Sequence, residues 1–334
     1  MPTMRTIRTL LARSWAFNPT LTVTLVLHAV LIPIAALLIF LDPVIITGAR
    51  GWIKPTKFAL SGAIYAATFG WLLTYVRSDR RWVQRLVQGS ATLTGAALLV
   101  ETTLISMQVM RGVPSHFNNT TTFDSIVFGA MGTFIFLLSL ANLALVILLL
   151  FRKLDGVTGD SVFSWGLRWG VLVSFAGLMV GYLMVQPTPE QMAVLETGVV
   201  PAAVGAHSVG VADGGAGLPF LGWSTEGGDL RAAHFLGLHG MQILPIVAWV
   251  LSRRRLRELL GTGHRITLVA TAGLGYLGLT ALWVWQALRG QSIIAPDGLT
   301  WMAYAGLFAF IGLMCAGTWL HAQTVDRRRF AITT

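Results

Sequence analysis

The chain has 334 residues, of which 54% are hydrophobic and only 11% are charged. Because about a quarter of the residues in soluble globular domains are charged, this composition excludes an ordinary soluble protein and indicates a membrane protein. A net charge of +10 is a property shared with nucleic-acid-binding proteins. Here, however, the basic residues stand in short groups beside apolar runs, where membrane orientation and anionic lipid headgroups account for them. Nucleic acid is therefore excluded as a partner.

Eight apolar runs are long enough to cross a hydrocarbon core, which needs about 20 residues of helix. They lie at residues 20–41, 55–76, 87–109, 126–151, 165–185, 231–251, 266–288 and 301–321. The predicted fold is all-α, a polytopic transmembrane bundle of about eight helices. The runs form one membrane domain, residues 20–321, which is preceded by the segment 1–19 and followed by a cytoplasmic tail, 322–334.

Basic residues concentrate in alternate connections, and positively charged connections stay on the cytoplasmic side of a membrane. They are Arg5, Arg8 and Arg13; Arg77, Arg80, Arg81 and Arg85; Arg152, Lys153 and Arg168; Arg253, Arg254, Arg255, Arg257 and Arg265; and Arg327, Arg328 and Arg329. With an even number of spans, both termini are predicted to be cytoplasmic. The arginine-rich composition indicates a bacterium, so the expected location is the bacterial inner membrane. Met4, Ile7 and Leu11 share one side of a short helix, which predicts that residues 1–19 lie on the inner membrane surface.

The second run begins with the sequence GWIKPTKFALS. Pro55 suits the first turn of a helix, where its missing N–H would have no partner. Polar residues then recur at helical spacing, so they lie on one face of the helix and extend inward from its predicted outer end: Lys57, Ser61, Tyr65 and Thr68. Lys57 is therefore predicted to bind an anionic or carbonyl group of a substrate. The alternative is a lysine that reaches toward lipid headgroups.

Glu101 lies inside the third run, about 13 Å from its predicted outer end. Ionisable groups at such a depth face the protein interior and often mark function. Thr94 and Gln108 lie seven residues to either side, so the three residues share one stripe, which we expect to face protein rather than lipid. Glu101 is a predicted acid–base residue, and Gln108 is a predicted substrate-binding residue.

One connection is long, residues 186–230, and it is predicted to be on the outer side. Loops of more than about 15 residues without elements of their own are usually functional or disordered. Its glycine-rich sequence also holds several apolar and aromatic residues, which argues against disorder and predicts a lid over the outer mouth. His207 and Asp213 of this loop, and His116 of a shorter outer connection, are available as metal ligands.

Two further features inside the runs have packing interpretations. In the fifth run the sequence GLMVG places Gly177 and Gly181 four residues apart, which predicts close approach of another helix. His28, in the first run, lies about 20 Å from the outer surface. It is interpreted as a core histidine whose polar groups are satisfied, or alternatively as the inner end of a proton path.

The sixth run begins with RAAHFLGLHGMQ, in which four polar side chains fall within about three helical turns. On a straight helix, Arg231 and Gln242 lie at the middle of a polar face and are predicted to bind substrate. His234 and His239 lie at its two edges and are predicted to act in catalysis. Because His239 and Glu101 lie at similar depths, they are predicted to form the acid–base or ligand pair.

Histidine and carboxylate side chains suit zinc or another first-row metal ion. The predicted ligands are His116, His207, His234, His239 and Asp213. The leading hypothesis is therefore a membrane-embedded enzyme that depends on a divalent metal, or less readily on haem, and acts on a small or lipid-soluble substrate. The alternatives are a proton-coupled transporter of a small anionic solute, and a non-catalytic protein that binds a partner or membrane lipid.

Four strings carry a family resemblance: GWIKPTKFALS, RGVPSHFN, GAHSVGVADGGAGLP and GWSTEGGDLRAAHFLGLHGMQILP. Together they resemble an uncharacterised bacterial family of multi-pass membrane proteins, and they cover most of the predicted outer-facing segments. The resemblance implies a multi-pass membrane protein with a working site at the outer face. No activity is attached to that family, so the resemblance implies no particular reaction and no catalytic residue.

Overall fold

The computed structural model describes residues 4–76, 78–152, 154 and 161–333, with their side chains except at positions 4, 5, 7 and 325–333. The predictions made for Arg77 and Lys153, and for the side chains of Met4, Arg5, Ile7, Arg327, Arg328 and Arg329, lie outside the described residues. The chain divides into two compact units. The first comprises Met1–Leu148, Met184–Ala206 and Ala212–Gly222, and the second comprises Leu149–Leu183, His207–Val211 and Trp223–Thr334.

The first unit holds a short hairpin among its helices. Its elements are α1 (Met4–Phe17), α2 (Pro19–Leu41), β1 (Ile45–Ile46), β2 (Ala49–Arg50), α3 (Ile53–Leu73), α4 (Arg81–Met110), most of α5 (Thr122–Phe151) and α7 (Pro189–Glu196). The second unit holds nearly all of α6 (Ser161–Met184), then β3 (Ser208–Val209), β4 (Gly228–Asp229), α8 (Leu230–Leu238), α9 (Gly240–Leu251), α10 (Arg254–Leu259), α11 (Thr262–Leu288) and α12 (Gly298–Thr333). Strands β1 and β2 pair antiparallel, as do β3 and β4.

The helices confirm a multi-pass membrane architecture. Six helices of the described residues are long and apolar enough to cross a membrane: α2, α4, α5, α6, α11 and α12 as far as Thr324. The pair α8 and α9 forms a seventh such span if it is counted as one bent helix. The predicted run at 55–76 coincides with α3, a 21-residue helix that is not among these candidates. The count of eight spans and the side of the termini therefore stay predictions.

In the first unit, α2 packs against α3 and α4. Asn18 begins α2 by accepting a hydrogen bond from the backbone N–H of Leu21, which satisfies one of the helix's unpaired donors. The amide of the same side chain donates to Gln88 and Thr92 of α4. One buried residue therefore caps α2 and joins it to α4.

His28 of α2 is a buried residue whose two ring nitrogens both have partners. Nδ1 lies 2.8 Å from the carbonyl oxygen of Thr24, and Nε2 lies 2.9 Å from the hydroxyl of Thr102 on α4. A carbonyl can only accept, so Nδ1 donates to Thr24, and the Thr102 hydroxyl can donate to Nε2 when the imidazole is neutral. Gly62 of α3 faces the ring, and a β-carbon there would lie 2.5 Å from Nε2. This geometry favours the interpretation of His28 as a core histidine.

In the second unit, α6 and α8 touch backbone to backbone. A β-carbon built on Gly177 would lie 2.5 Å from Cα of Gly237, so only glycine fits at this crossing. The close approach predicted from GLMVG is confirmed for Gly177. Around it, α11 packs against α8, α9 and α12.

The predicted single helix at 231–251 is instead two helices, α8 and α9, bent by 43° at His239. The N–H of His239 bonds the carbonyls of both Phe235 and Leu236, which tightens the last turn of α8. In α9, Pro245 has no N–H to donate to the carbonyl four residues earlier. The helix therefore lacks one backbone hydrogen bond after the bend. The straight-helix angles that placed Gln242 beside Arg231 are therefore wrong beyond His239.

Candidate functional site

The first unit buries the carboxylate of Glu101 on α4. The residue is 2% exposed, and its Oε1 atom lies 3.2 Å from Nε2 of His116 in the connection between α4 and α5. Its Oε2 atom is buried and has no hydrogen-bond partner among the described residues. A buried polar atom without a partner is uncommon in folded proteins, and it marks this carboxylate as a place where a proton or a ligand group would be stabilised.

The stripe predicted for the third span faces protein. Thr94, Glu101 and Gln108 are all buried on α4, which confirms that prediction. Along α4 the stripe places one acidic side chain between two neutral polar ones.

His116 joins Glu101 to Lys54 at the start of α3. Lys54 Nζ and Ser115 Oγ each lie 3.1 Å from Nδ1 of His116. An ammonium group can only donate, so Nδ1 accepts and the ring proton lies on Nε2, which donates to Glu101. We call this chain of hydrogen bonds, from Lys54 through His116 to Glu101, the relay.

The surroundings of His116 keep its imidazole neutral. Burial and the Lys54 ammonium lower the pKa of His116 below its usual value, whereas the hydrogen bond and the charge of Glu101 act in the opposite direction. Rings of Phe58, Phe117 and Phe128 lie 5.9, 6.1 and 6.3 Å from the imidazole, measured between centroids. This apolar enclosure strengthens the electrostatic interactions within the relay.

A second polar cluster joins the end of α4 to the start of α5, on either side of the connection that carries His116. Buried Asp124 accepts from Gln108 at 2.9 Å, from Arg111 at 2.6 Å and from Thr121 at 2.6 Å. Arg111 also donates to the amide oxygen of Gln108. Gln108, which was predicted to bind substrate, therefore uses both ends of its amide within the protein.

Part of the long loop, which was predicted to form a lid, pairs with the connection that carries His116. The N–H of Asn119 donates to the carbonyl of Ala202 at 2.8 Å, and the N–H of Val204 donates to the carbonyl of Phe117 at 3.0 Å. This part of the loop is ordered by backbone hydrogen bonds. The loop therefore fixes the segment next to His116.

Two side chains attach other parts of the long loop within the first unit. Gln191 of α7 accepts from the N–H of Gly205 and donates to its carbonyl, and it completes the capping box with Thr188. Lys57 of α3 donates to the carbonyl of Leu221 at 2.9 Å. Lys57, which was predicted to bind substrate, thus holds the loop. Lys54, three residues earlier, is the lysine that contacts His116.

In the second unit, Arg231 is bound to the residue that caps α8. Asp229 is buried and accepts from Arg231 at Nε, 2.9 Å, and at Nη2, 2.6 Å. It also accepts from the backbone N–H groups of Arg231 and Ser224. The charge of Arg231 is therefore offset by its neighbour, which makes it a weaker anion site than an isolated guanidinium.

The remaining predicted residues of this unit lie along α8 and α9 and before β3. His234 Nδ1 lies 2.8 Å from the carbonyl of Gly177. His239 is exposed at the bend, and Gln242 and His207 are half-buried. Glu101 and His239 belong to different units, so their pairing stays a prediction.

The predicted metal ligands divide between the units, with His116 and Asp213 in the first and His207, His234 and His239 in the second. Within the described residues, no group of three or more His, Cys, Asp or Glu side chains is placed to hold a metal ion. At His116, the adjacent Lys54 ammonium also repels a second cation. The residues around His116 therefore do not fit a metal centre. The divalent metal and the haem remain sequence predictions without geometric support.

Lys54 was not predicted as a functional residue, and His116 was not predicted as the partner of Glu101. A signal was available, because His116 lies in the short connection that directly follows the helix of Glu101. A short connection must keep its residues near the helix end, within reach of the last three turns.

Comparison with family models, with curated proteins and with solved structures gives no match for this chain.

Proposed function

We propose that the protein is a proton-coupled membrane transporter of a small anionic solute, with Glu101 and His116 as its protonation site. The observation that carries the proposal is the carboxylate of Glu101, which binds His116 through one oxygen and has no described partner at the other. A buried carboxylate of this kind is the group that proton-coupled carriers use.

The relay gives the proton a route. A proton that reaches Nδ1 of His116 allows the proton on Nε2 to pass to Glu101, because the two ring nitrogens serve as separate entry and exit points. The transfer turns a carboxylate into a neutral acid and leaves the imidazole neutral. Protonated Glu101 then carries no charge inside the membrane span.

Lys54 supplies the coupling to an anion. Its ammonium donates to Nδ1 of His116 at 3.1 Å. An anion that binds Lys54 competes for this donor and leaves Nδ1 free to accept a proton. Its negative charge also favours protonation of the relay. Anion and proton therefore bind together, and the loaded site is closer to neutral than either ligand alone would make it.

The test is proton entry into liposomes that contain the purified protein and a pH-sensitive dye. Acetate, lactate, phosphate and sulfate are added one at a time outside. We expect at least one of them to acidify the interior with wild-type protein. Glu101→Gln should reduce that rate by about 10²-fold or more, because the proton-transfer group is lost.

Glu258→Gln is the matched control, because Glu258 is exposed on α10 with only a surface ion pair. Lys54→Gln should retain proton entry only at higher anion concentration. Equal rates for Glu101→Gln and the Glu258→Gln control, in variants that elute as single species in gel filtration, would contradict the proposal.

A further inference from the structure

The second unit contains a cavity of about 310 Å³ between the first turns of α11 and the later part of α12. Two histidines line it, and Nε2 of His264 lies 2.9 Å from Nδ1 of His321. Both side chains belong to helices that pack against each other. One ring donates to the other in this hydrogen bond, so the cavity holds two imidazole nitrogens that face each other.

A third donor lies in the same cavity. Met314 lines it and precedes His321 by seven residues, two turns of α12, so both side chains leave the same face of the helix. Gly317 lies between them, and a β-carbon there would meet no atom within 4 Å, which leaves room beside the three donors. The cavity is thus lined by two imidazoles and one thioether around open space.

The other polar groups of the cavity are already engaged. The hydroxyl of Thr318 donates to the carbonyl of Met314 at 2.7 Å, and that of Thr267 donates to the carbonyl of Gly263 at 3.1 Å. No Asp, Glu, Lys or Arg side chain is among the described residues that line the cavity. The lining therefore offers no cation for an anion and no carboxylate for a hard metal ion.

We propose that His264, His321 and Met314 bind one Cu(I) ion. Imidazole and thioether ligands together select copper, and the thioether favours its monovalent state. Two nitrogens bound to one metal at about 2.0–2.1 Å are about 3.5 Å apart at a trigonal angle, so the two hydrogen-bonded imidazoles need to separate only slightly to take an ion between them. The usual protein ligands of zinc are Cys, His, Asp and Glu, so the thioether of Met314 favours Cu(I) over zinc.

The predicted orientation agrees with this ion. The basic residues next to the start of α11 predict that this end of the helices faces the cytoplasm. The cytoplasm keeps thiols reduced, and copper there is monovalent. The site would take up copper on the reducing side of the membrane, at a place separate from the relay.

The test is a competition between purified protein in detergent and a coloured Cu(I) chelator, under a reductant and without oxygen. We expect one Cu(I) per chain in wild-type protein. Met314→Leu and His321→Gln should each weaken the binding by about tenfold or more. Met302→Leu is the matched control, because this exposed methionine lies on the same helix outside the cavity. It should leave binding unchanged.

X-ray absorption of the loaded protein gives a second readout that does not depend on the variants' affinities. One sulfur and two nitrogen neighbours around copper would support the site, and the sulfur should disappear in Met314→Leu. Wild-type affinity in both Met314→Leu and His321→Gln would overturn the proposal. So would zinc binding that competes with Cu(I) and does not respond to Met314→Leu.

Discussion

At the scale of single residues, His116 is the side chain whose surroundings have the clearest effect on its chemistry. Its Nδ1 accepts from Lys54 and its Nε2 donates to Glu101, so both nitrogens are used only when the ring is neutral. Protonation of Nδ1 would remove the bond from Lys54 and bring two positive charges together. The folded protein therefore disfavours the imidazolium, in agreement with the lowered pKa of His116.

This lowered pKa predicts how stability depends on pH. Above the unfolded value of about 6.5, histidine is neutral in both states. As the pH falls below it, the unfolded chain binds a proton that folded His116 resists, so the free energy of unfolding decreases until the folded pKa is passed. We expect the Tm to fall between pH 6.5 and 5, and His116→Gln to flatten part of this slope. Exposed His239→Gln is the control, and an identical slope in both variants would refute the assignment.

Asp124 offers a prediction about stability that is independent of the relay. It is buried and accepts hydrogen bonds from Gln108, Arg111 and Thr121. Asp124→Asn removes the charge from these bonds and should lower the free energy of unfolding by about 1–3 kcal/mol. Glu258→Gln breaks an exposed ion pair with Arg254 and should cost no more than about 0.5 kcal/mol. Thermal unfolding followed by tryptophan fluorescence measures both, and equal Tm values would contradict the structural role of Asp124.

At the scale of helices, the contact between α6 and α8 depends on glycine. A β-carbon at Gly177 would meet backbone atoms of Gly237, which cannot move aside as a side chain can. Gly177→Ala should therefore destabilise the protein by about 1–3 kcal/mol through overpacking. Gly132→Ala on α5 meets no atom within 4 Å and should be neutral or stabilising by up to about 1 kcal/mol. A Tm of Gly177→Ala at or above that of Gly132→Ala would disprove the close packing.

The positions of the long helices could be predicted from the sequence, because an apolar segment in a bilayer must satisfy its backbone internally and does so as a helix. The helix ends were less predictable. α4 begins at Arg81, six residues before the apolar run, since hydropathy does not register the polar first turns. The bend at His239 was also missed, because angles on a helical wheel assume a straight axis.

The pairing within the relay could not be predicted from spacing. Glu101 and His116 are 15 residues apart, and their contact depends on how the chain turns after α4. Helical periodicity predicts the face on which Glu101 lies, and the burial of Thr94, Glu101 and Gln108 confirms that stripe. Periodicity stops at the helix end, so it cannot place a histidine that reaches the stripe from a connection.

At the scale of the whole molecule, the distribution of basic residues predicts which ends of the helices face the cytoplasm. Cys315 is the single cysteine of the chain, so Cys315→Ser gives a background for single-cysteine labelling. In intact spheroplasts, a membrane-impermeant maleimide should label Thr197→Cys, which is exposed after α7. It should label Glu258→Cys only after permeabilisation. The reverse pattern would invert the predicted topology.

The long loop is attached at several points on both sides of residues 197–200. α7 is held before this stretch by Gln191, and residues 202–204 are held after it by backbone pairing to the connection next to His116. Between them, Val199 and Val200 are exposed, and Gly198 has a positive φ with open space around it. A protease cut or an inserted epitope tag at this stretch would leave both flanking segments anchored. The protein therefore contains a natural insertion point for purification or imaging labels.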